Sequence, residues 1–380
     1  MIDATTYIEK NLDGYIAELT EFASIPSVSS QSTGIAEAAR WLQQALLRRG
    51  VDARILPTAG NPVVVGKIGA GKRTVLLYNH YDVQPPEPLD AWSTPPFEPT
   101  LRDGKLFGRG AIDDKGEIVA RLAALDVLRE RYGNELPLAL TFFVEGEEES
   151  GSPNLELFVV DHRDLLAADA CIWEAGQVDN QGRPQLWLGL RGMLYVELVA
   201  RTLKHDAHSG WAHVLPNAAW RLIEALATLR DRDGNVTIDG FSDGLVGPTP
   251  RQRELLRNLP DETLGYREEY GIERFVAGRE VLAMREAVFM PTCNISGIWA
   301  GHIEHGSKTV IPATAHVRID FRLAPDQDPQ RCLRALSAHL ARHGFGDIEV
   351  HQSQGERAAC SDPDHPFISL AIDVLRERYG

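Results

Sequence analysis

Short apolar runs and amphipathic helical stretches alternate along the first half of the chain. NPVVVGKIG, TVLLYNHYDV, LALTFFVEG and ADACIWEA read as buried strands, whereas EAARWLQQALLRRG and EIVARLAALDVLRERYG carry apolar residues at helical spacing. Over residues 7–191 this is the βαβ pattern of a parallel or mixed sheet covered by helices. After LGLRG the pattern changes. A strand (MLYVELVAR), a loop with DAHSG and a helix (NAAWRLIEALATLR) precede a long polar stretch over residues 231–290. Two strands (CNISGIWAG, ATAHVRIDFRL), a helix (DPQRCLRALSAHLARHG) and a strand (DIEVHQSQ) follow. Strand-helix-strand-strand-helix-strand order predicts a small α+β domain of ferredoxin-like plan, inserted into the first. The last segment, HPFISLAIDVLRERYG, reads as an amphipathic helix. The fold class expected is therefore α/β, a mixed, mostly parallel sheet with flanking helices plus an inserted ferredoxin-like domain. Residues 1–190 and 361–380 would form the first domain and residues 191–360 the inserted one.

With 380 residues the chain is too long for one core of usual size, so two domains are the default expectation. The net charge of -15 argues against a sequence-independent nucleic-acid binder, which needs a basic face to neutralise phosphates. No apolar run reaches the roughly 20 residues of a membrane span. Cys171, Cys293, Cys332 and Cys360 show no paired spacing, and the N-terminus reads as a helix rather than a signal peptide. A reducing, cytoplasmic setting is expected.

Three clusters of acidic or metal-seeking residues follow the predicted strands: His80-Tyr81-Asp82, Asp113-Asp114 within GRGAIDDKG, and Glu147-Glu148-Glu149. Glu174 comes after a fourth strand. Clusters just beyond buried strands project from one carboxyl edge of the sheet, where open α/β folds bind ligands. His80 and Asp82, two apart, face one side, so Asp82 could orient the imidazole of a metal ligand; taken alone, the pair is a capped strand end. Asp113-Asp114 alone would most often cap a helix. Three consecutive glutamates repel one another unless something positive sits among them. Two divalent cations would balance Asp113, Glu149, Glu174 and a bridging hydroxide. Imidazole and carboxylate ligands without thiolate suit Zn²⁺, Mn²⁺ or Co²⁺, with one glutamate left off the metals as a base.

The motifs LLYNHYDVQP, DGKLFGRGAIDDKG, EGEEESGS, DAHSG and KTVIPATAHVRIDFRLAP, in this order, resemble the M20 metallopeptidase family, which includes aminoacylases, acetylornithine and succinyl-diaminopimelate deacylases, and carnosine-type dipeptidases. The resemblance covers nearly the whole chain. It implies that His80 binds one metal, Asp113 bridges both, Glu149 binds the second and Glu174 the first, with Glu148 as general base. It implies a cis peptide between Asp113 and Asp114. It makes the inserted domain a lid and dimerisation module, in which His208 of DAHSG polarises the scissile carbonyl across a homodimer. Arg322 of DFRLAP matches an arginine that clamps the substrate's terminal carboxylate, and His365 of DPDHPF matches, more loosely, a substrate-side histidine. Without the resemblance, His208 would be a turn residue and Arg322 a strand arginine in a surface ion pair. His302 and His305 fall in a polar loop and are not expected to be ligands.

Two departures stand out. His213-Val214 replaces a glycine pair common in relatives shortly after His-Ser-Gly. Relatives also continue past the helix ending at Gly380 to a last histidine ligand, so the chain is expected to be C-terminally incomplete, with its second metal short of an imidazole. The expected activity is hydrolysis of a small peptide bond, dipeptidase-like, by a metal-activated water with two divalent cations. An N-acyl-amino-acid deacylase is the nearest alternative and a non-catalytic binding protein a remoter one. A small peptide or N-acyl amino acid is the expected substrate, with a homodimer, no nucleic acid and no membrane.

Overall fold

The computed structural model describes residues 3–174, 178–179, 182–278 and 281–380. The chain forms two compact units that divide between Gln185 and Leu186. Among the described residues no helix is long and apolar enough to cross a membrane, and all four cysteines are unpaired.

In the first unit, α1 (Ala4–Ala23) starts where the Asp3 carboxylate accepts from the Thr6 amide at 3.2 Å. Helix α2 (Ile35–Arg48) buries the stripe Ile35, Ala38, Ala39, Leu42, Ala45 and Leu46. Strands β1 (Asp52–Leu56), β2 (Val63–Ile68) and β3 (Thr74–His80) follow, then the small hairpin β4 (Thr100–Arg102) and β5 (Lys105–Phe107). Helix α3 (Lys115–Tyr132) leads to β6 (Ala139–Glu145), the short helices α4 (Leu155–Asp161) and α5 (Arg163–Leu166), and β7 (Ala170–Ile172). The sheet order is β1-β2-β6-β3-β7. Strand β3 runs parallel to both β6 and β7, whereas β2 is antiparallel to β6 and β1 to β2. The mixed sheet is thus parallel only in the half that carries the acidic clusters. Register explains why they meet. His80 pairs with Glu145 and Leu77 with Ile172, so Asp82, the Glu147–Glu149 run and Glu174 leave their strands at nearly the same level.

In the second unit come β8 (Gly189–Leu190), β9 (Gly192–Arg201), β10 (Ala207–His208) and α6 (Ala218–Leu226), then α7 (Pro250–Asn258), α8 (Thr263–Tyr270) and α9 (Val281–Glu286). Strands β11 (Thr292–Ala300), β12 (Val310–Ile311) and β13 (Thr314–Leu323), helix α10 (Pro329–Arg342), β14 (Glu349–Glu356), β15 (Ala359–Cys360) and α11 (Pro366–Tyr379) complete it. The antiparallel sheet β11-β13-β9-β14, with α6 and α10 crossing between its strands, is the expected ferredoxin-like plan. Its core joins alternate residues of β9 and β13 to Leu222 and Ala225 of α6 and Leu336 and Leu340 of α10. The polar stretch read without elements contains α7 to α9; α7 carries a capping box, Thr249 with Gln252, and Pro250 in its first turn.

Lys115, at the start of α3, is fully buried, and its ammonium donates to the carbonyls of Phe22 (3.1 Å) and Ile25 (2.6 Å). It thereby fixes the end of α1 against the Asp113-Asp114 turn. Lys115→Met keeps the length but removes a charged donor from two buried carbonyls, each then met only by backbone amides, so we expect a loss of about 1–3 kcal/mol, read as a lower urea midpoint. An unchanged midpoint would show that water replaces the ammonium at no cost.

Candidate metal centre

His80 closes β3 almost wholly buried (1% exposed). Its Nε2 donates to Asp113 Oδ1 at 2.9 Å and its Nδ1 to the Asp82 carbonyl at 3.0 Å, with Asp82 Oδ1 3.4 Å from the same nitrogen. The orienter expected at Asp82 therefore acts mainly through its backbone. The Asp82 carboxylate, fully buried, instead accepts from the amides of Glu148 (3.2 Å) and Glu149 (3.1 Å). It holds the 3₁₀ turn Glu148–Ser150, which closes on Gly151 at φ 83°, a left-handed conformation suited to glycine.

The three glutamates separate. Glu147 turns away: Oε1 accepts from the Asn61 amide (3.0 Å) and Oε2 from Asn154 Nδ2 (2.8 Å). Glu148 Oε2 lies 4.0 Å from His80 Nε2. Glu149 Oε2 accepts from Gln84 Nε2 at 2.7 Å. Glu174 places Oε2 at 3.6 Å from His80 Nε2. That oxygen is buried and accepts no hydrogen bond.

Asp113, exposed, and Asp114, buried, are joined by a cis peptide, as the resemblance implies. The helix-capping role open to Asp114 does not occur through its side chain. Its Oδ2 accepts instead from Asn79 Nδ2 (2.7 Å) and from the His80 amide (3.0 Å), because the tight turn after Gly110 (φ 76°) directs it back onto β3.

Electrostatics follow from the crowding. Burial lifts the Glu174 carboxyl to about 8, with Glu148, Asp114 and Asp113 adding to it and His80 opposing. Burial likewise raises Glu148 to about 7, aided by Glu149, Asp82 and Asp113 against His80. Glu149 is raised by burial and eased by Gln84. Burial by itself would depress His80, but its bonds to Asp113 and Asp82 outweigh this and push the imidazole up to about 12; the same bond draws Asp113 down. A site this rich in carboxylate needs positive charge beyond one imidazole. One nitrogen, several carboxylate oxygens and a buried oxygen without a donor form a donor set that divalent cations fit. Groups able to hold one are His80 with Glu148 and Glu149, and His80 with Asp114 and Glu174. Beside Asp113 and Glu149 opens a cavity of about 420 Å³, lined in part by Trp92, Phe107 and Arg109, a volume suited to a small ligand.

The structure thus brings His80, Asp82, Asp113, Glu148, Glu149 and Glu174 together in the first unit. His208, Arg322 and His365 lie in the second, and both histidines are engaged locally. His208 Nδ1 accepts from the Gly210 amide (3.0 Å), and His365 Nδ1 caps α11 at the Phe367 amide (3.2 Å). Exposed Arg322 sits on β13. His302 and His305 are in the loop between β11 and β12 and join no ligand group among the described residues. Sequence reading passed over Gln84, two residues beyond Asp82. It also missed Arg121 on α3, whose guanidinium donates to Tyr78 O and Asn79 Oδ1 (each 2.5 Å) and to Trp173 O (2.7 Å), next to Glu174.

A family model described as peptidase family M20/M25/M40 matches residues 76–380. The chain is 29% identical to the Cys-Gly metallodipeptidase dug1 of Schizosaccharomyces pombe, over 98% of this chain and 83% of that protein. It is 34% identical to the cysteinylglycine-S-conjugate dipeptidase of Corynebacterium striatum, over 96% and 80%. Among solved structures it superposes on the M20 family metallo-carboxypeptidase Sso-CP2 of Sulfolobus solfataricus with a TM-score of 0.89, at 36% identity, covering 96% of this chain and 84% of that one. The chain belongs to peptidase family M20/M25/M40 and is a metallopeptidase of that family.

Asp82→Asn would turn an NH₂ towards one of the two amides that the carboxylate now receives. Losing one charge-assisted bond and opposing two donors should free the turn by about 1.5–3 kcal/mol. Hydrogen exchange at the Glu148 and Glu149 amides should then rise by roughly tenfold or more; unchanged protection would mean that the turn is held by something else.

Proposed function

We propose that this chain is a metal-dependent dipeptidase. The observation that carries the reading is the convergence of His80, Asp113, Glu148, Glu149 and Glu174 in one cluster, in a chain whose relatives include named dipeptidases. A deacylase is not favoured by those relatives. His80, Asp113, Glu149 and Glu174 would hold two divalent cations, Zn²⁺ first with Mn²⁺ or Co²⁺ as alternatives. When bound, the cations lower the pKa of a coordinated water and polarise the scissile carbonyl. Glu148 stays off the metals, takes the water's proton on its carboxylate and returns it to the leaving amine. Its carboxyl, held near neutrality by burial, is matched to both steps. Asp82 keeps Glu148 and Glu149 in register through their amides. Arg322 fixes the substrate's terminal carboxylate with a planar fork, His208 stabilises the oxyanion, and His365 lies on the substrate side. A homodimer through residues 191–360, with residues 1–190 and 361–380 as the catalytic domain, and a cytoplasmic setting belong to the same reading.

One observation favours a second reading: the similarity to a metallo-carboxypeptidase over nearly the whole chain fits removal of a C-terminal residue from longer peptides. Amino-acid release from free dipeptides, N-blocked dipeptides and longer peptides, with and without chelator, separates the two. We expect free dipeptides to be turned over best, with activity lost to chelator and restored by Zn²⁺, Mn²⁺ or Co²⁺. Glu148→Gln should lower kcat by roughly 10²–10⁴-fold at unchanged metal content, whereas metal loss with retained rate would put the base elsewhere.

Without cations the site holds protons at neutral pH, since His80 is pushed up to about 12, Glu174 to about 8 and Glu148 to about 7. Metal ligands must be deprotonated. Among the proposed ligands His80 and Glu174 hold those protons, so cation affinity should fall as pH drops below about 12 and more steeply below about 8, and binding near neutrality should release more than one proton. Calorimetry in buffers of different ionisation heat measures this; proton-independent binding would contradict the ligand set.

A further inference from the structure

The second unit carries its own cluster of metal-seeking side chains, around the last turn of α10. His339 and His343 stand one helical turn apart, with ring centroids 4.1 Å from each other. Both face the carboxylate of Asp239, whose Oδ2 lies 3.4 Å from His339 Nδ1 and 3.3 Å from His343 Nε2. One atom from each of the three side chains lies within 4.8 Å of the others. We propose that Asp239, His339 and His343 form a transition-metal site that takes Zn²⁺, Ni²⁺ or Cu²⁺.

Three observations carry this. The first is tautomer. Thr228 gives its hydroxyl proton to the Ala225 carbonyl (2.7 Å), so at 3.0 Å from His339 Nε2 it can only accept. The buried His339 is therefore protonated on Nε2, with its Nδ1 lone pair turned towards Asp239. A second partner that fixes the tautomer in this way is what a ligating histidine has. The second is distance. Metal–ligand bonds of about 2.0–2.1 Å set tetrahedral ligand–ligand edges of roughly 3.3–3.4 Å, and the two nitrogen–oxygen separations match that edge. The third is charge. The carbonyl end of α10 favours a cation, and one is already there: the Arg342 guanidinium hydrogen-bonds the same Asp239 Oδ2. Its side chain is 61% exposed and free to swing into water when a metal arrives. His339 Nδ1 at present accepts from the Asp239 amide at 3.1 Å; in the loaded site that lone pair goes to the cation and the amide to water.

Such a site clips the α10 end to the 237–241 turn, so the metal should stabilise the folded chain by mass action. The test compares Ni²⁺ and Zn²⁺ titrations of the full chain with those of His343→Ala and Arg342→Ala. Both variants leave His80 and its neighbours intact, so metal bound there cancels in the comparison whether or not the catalytic reading holds. His343→Ala, at an exposed position, should lose one equivalent or weaken it by more than about 100-fold, together with that equivalent's increment in Tm. Arg342→Ala removes a competing cation and should tighten the site by up to about fivefold, the equivalent of an exposed ion pair. Equal stoichiometry and affinity in wild type and His343→Ala, or weaker binding in Arg342→Ala, would overturn the proposal and leave His339 as a hydrogen-bonded core histidine.

Discussion

The gathering of Asp113, Asp114, Glu148, Glu149 and Glu174 round one buried imidazole is the constraint on which the first unit depends. Like charges at this spacing push apart, so the arrangement leans on ties that hold the residues around the imidazole to the scaffold. Asp82 grips the amides of Glu148 and Glu149, Asn79 and the His80 amide grip Asp114, and Gln84 grips Glu149. Arg121 bonds the end of β3 and the carbonyl before Glu174, which sets the distance between the segments that carry His80 and Glu174. Several of these ties end on backbone groups rather than on the carboxylates. The acids are thus positioned without being neutralised, and a cation remains the most effective partner left for them.

Much of this was legible in the chain because the sheet imposes a simple rule. In parallel strands, residues just past the carboxyl ends converge, so His80, Glu148, Glu149 and Glu174 could be grouped from the apolar runs that precede them. The ferredoxin-like order of the second unit was legible for the same reason, from alternation in MLYVELVAR and ATAHVRIDFRL. What escaped were side chains whose partners are distant backbone carbonyls. Arg121 lies on a helix where an arginine reads as solvent-facing, and nothing local says that it reaches β3 and Trp173. Asp114 reads as a cap because Asp before a helix usually is one; the turn after Gly110 redirects it. Helices α7 to α9 escaped because their residues are polar on most faces, although Thr249, Pro250 and Gln252 formed a start signal that could have been used.

Glu147, Glu148 and Glu149 show how backbone geometry alone can divide identical side chains among different tasks. Glu147 follows the bend at Gly146 and meets Asn61 and Asn154, amide partners that make it a brace between two loops. The 3₁₀ turn then rotates the next two residues onto the cluster side, where Glu148 finds no hydrogen-bond donor as close as the Gln84 amide is to Glu149. The difference in partners carries into acidity: burial raises both, but Glu149 is eased by its hydrogen bond to Gln84, while Glu148 has only the charge of His80 to oppose burial and like charge. In the proposed mechanism the base takes that second environment and the metal ligand, which must stay ionised, the first. The division rests on one fully buried carboxylate, Asp82, because it fixes the turn that decides which glutamate faces which neighbour.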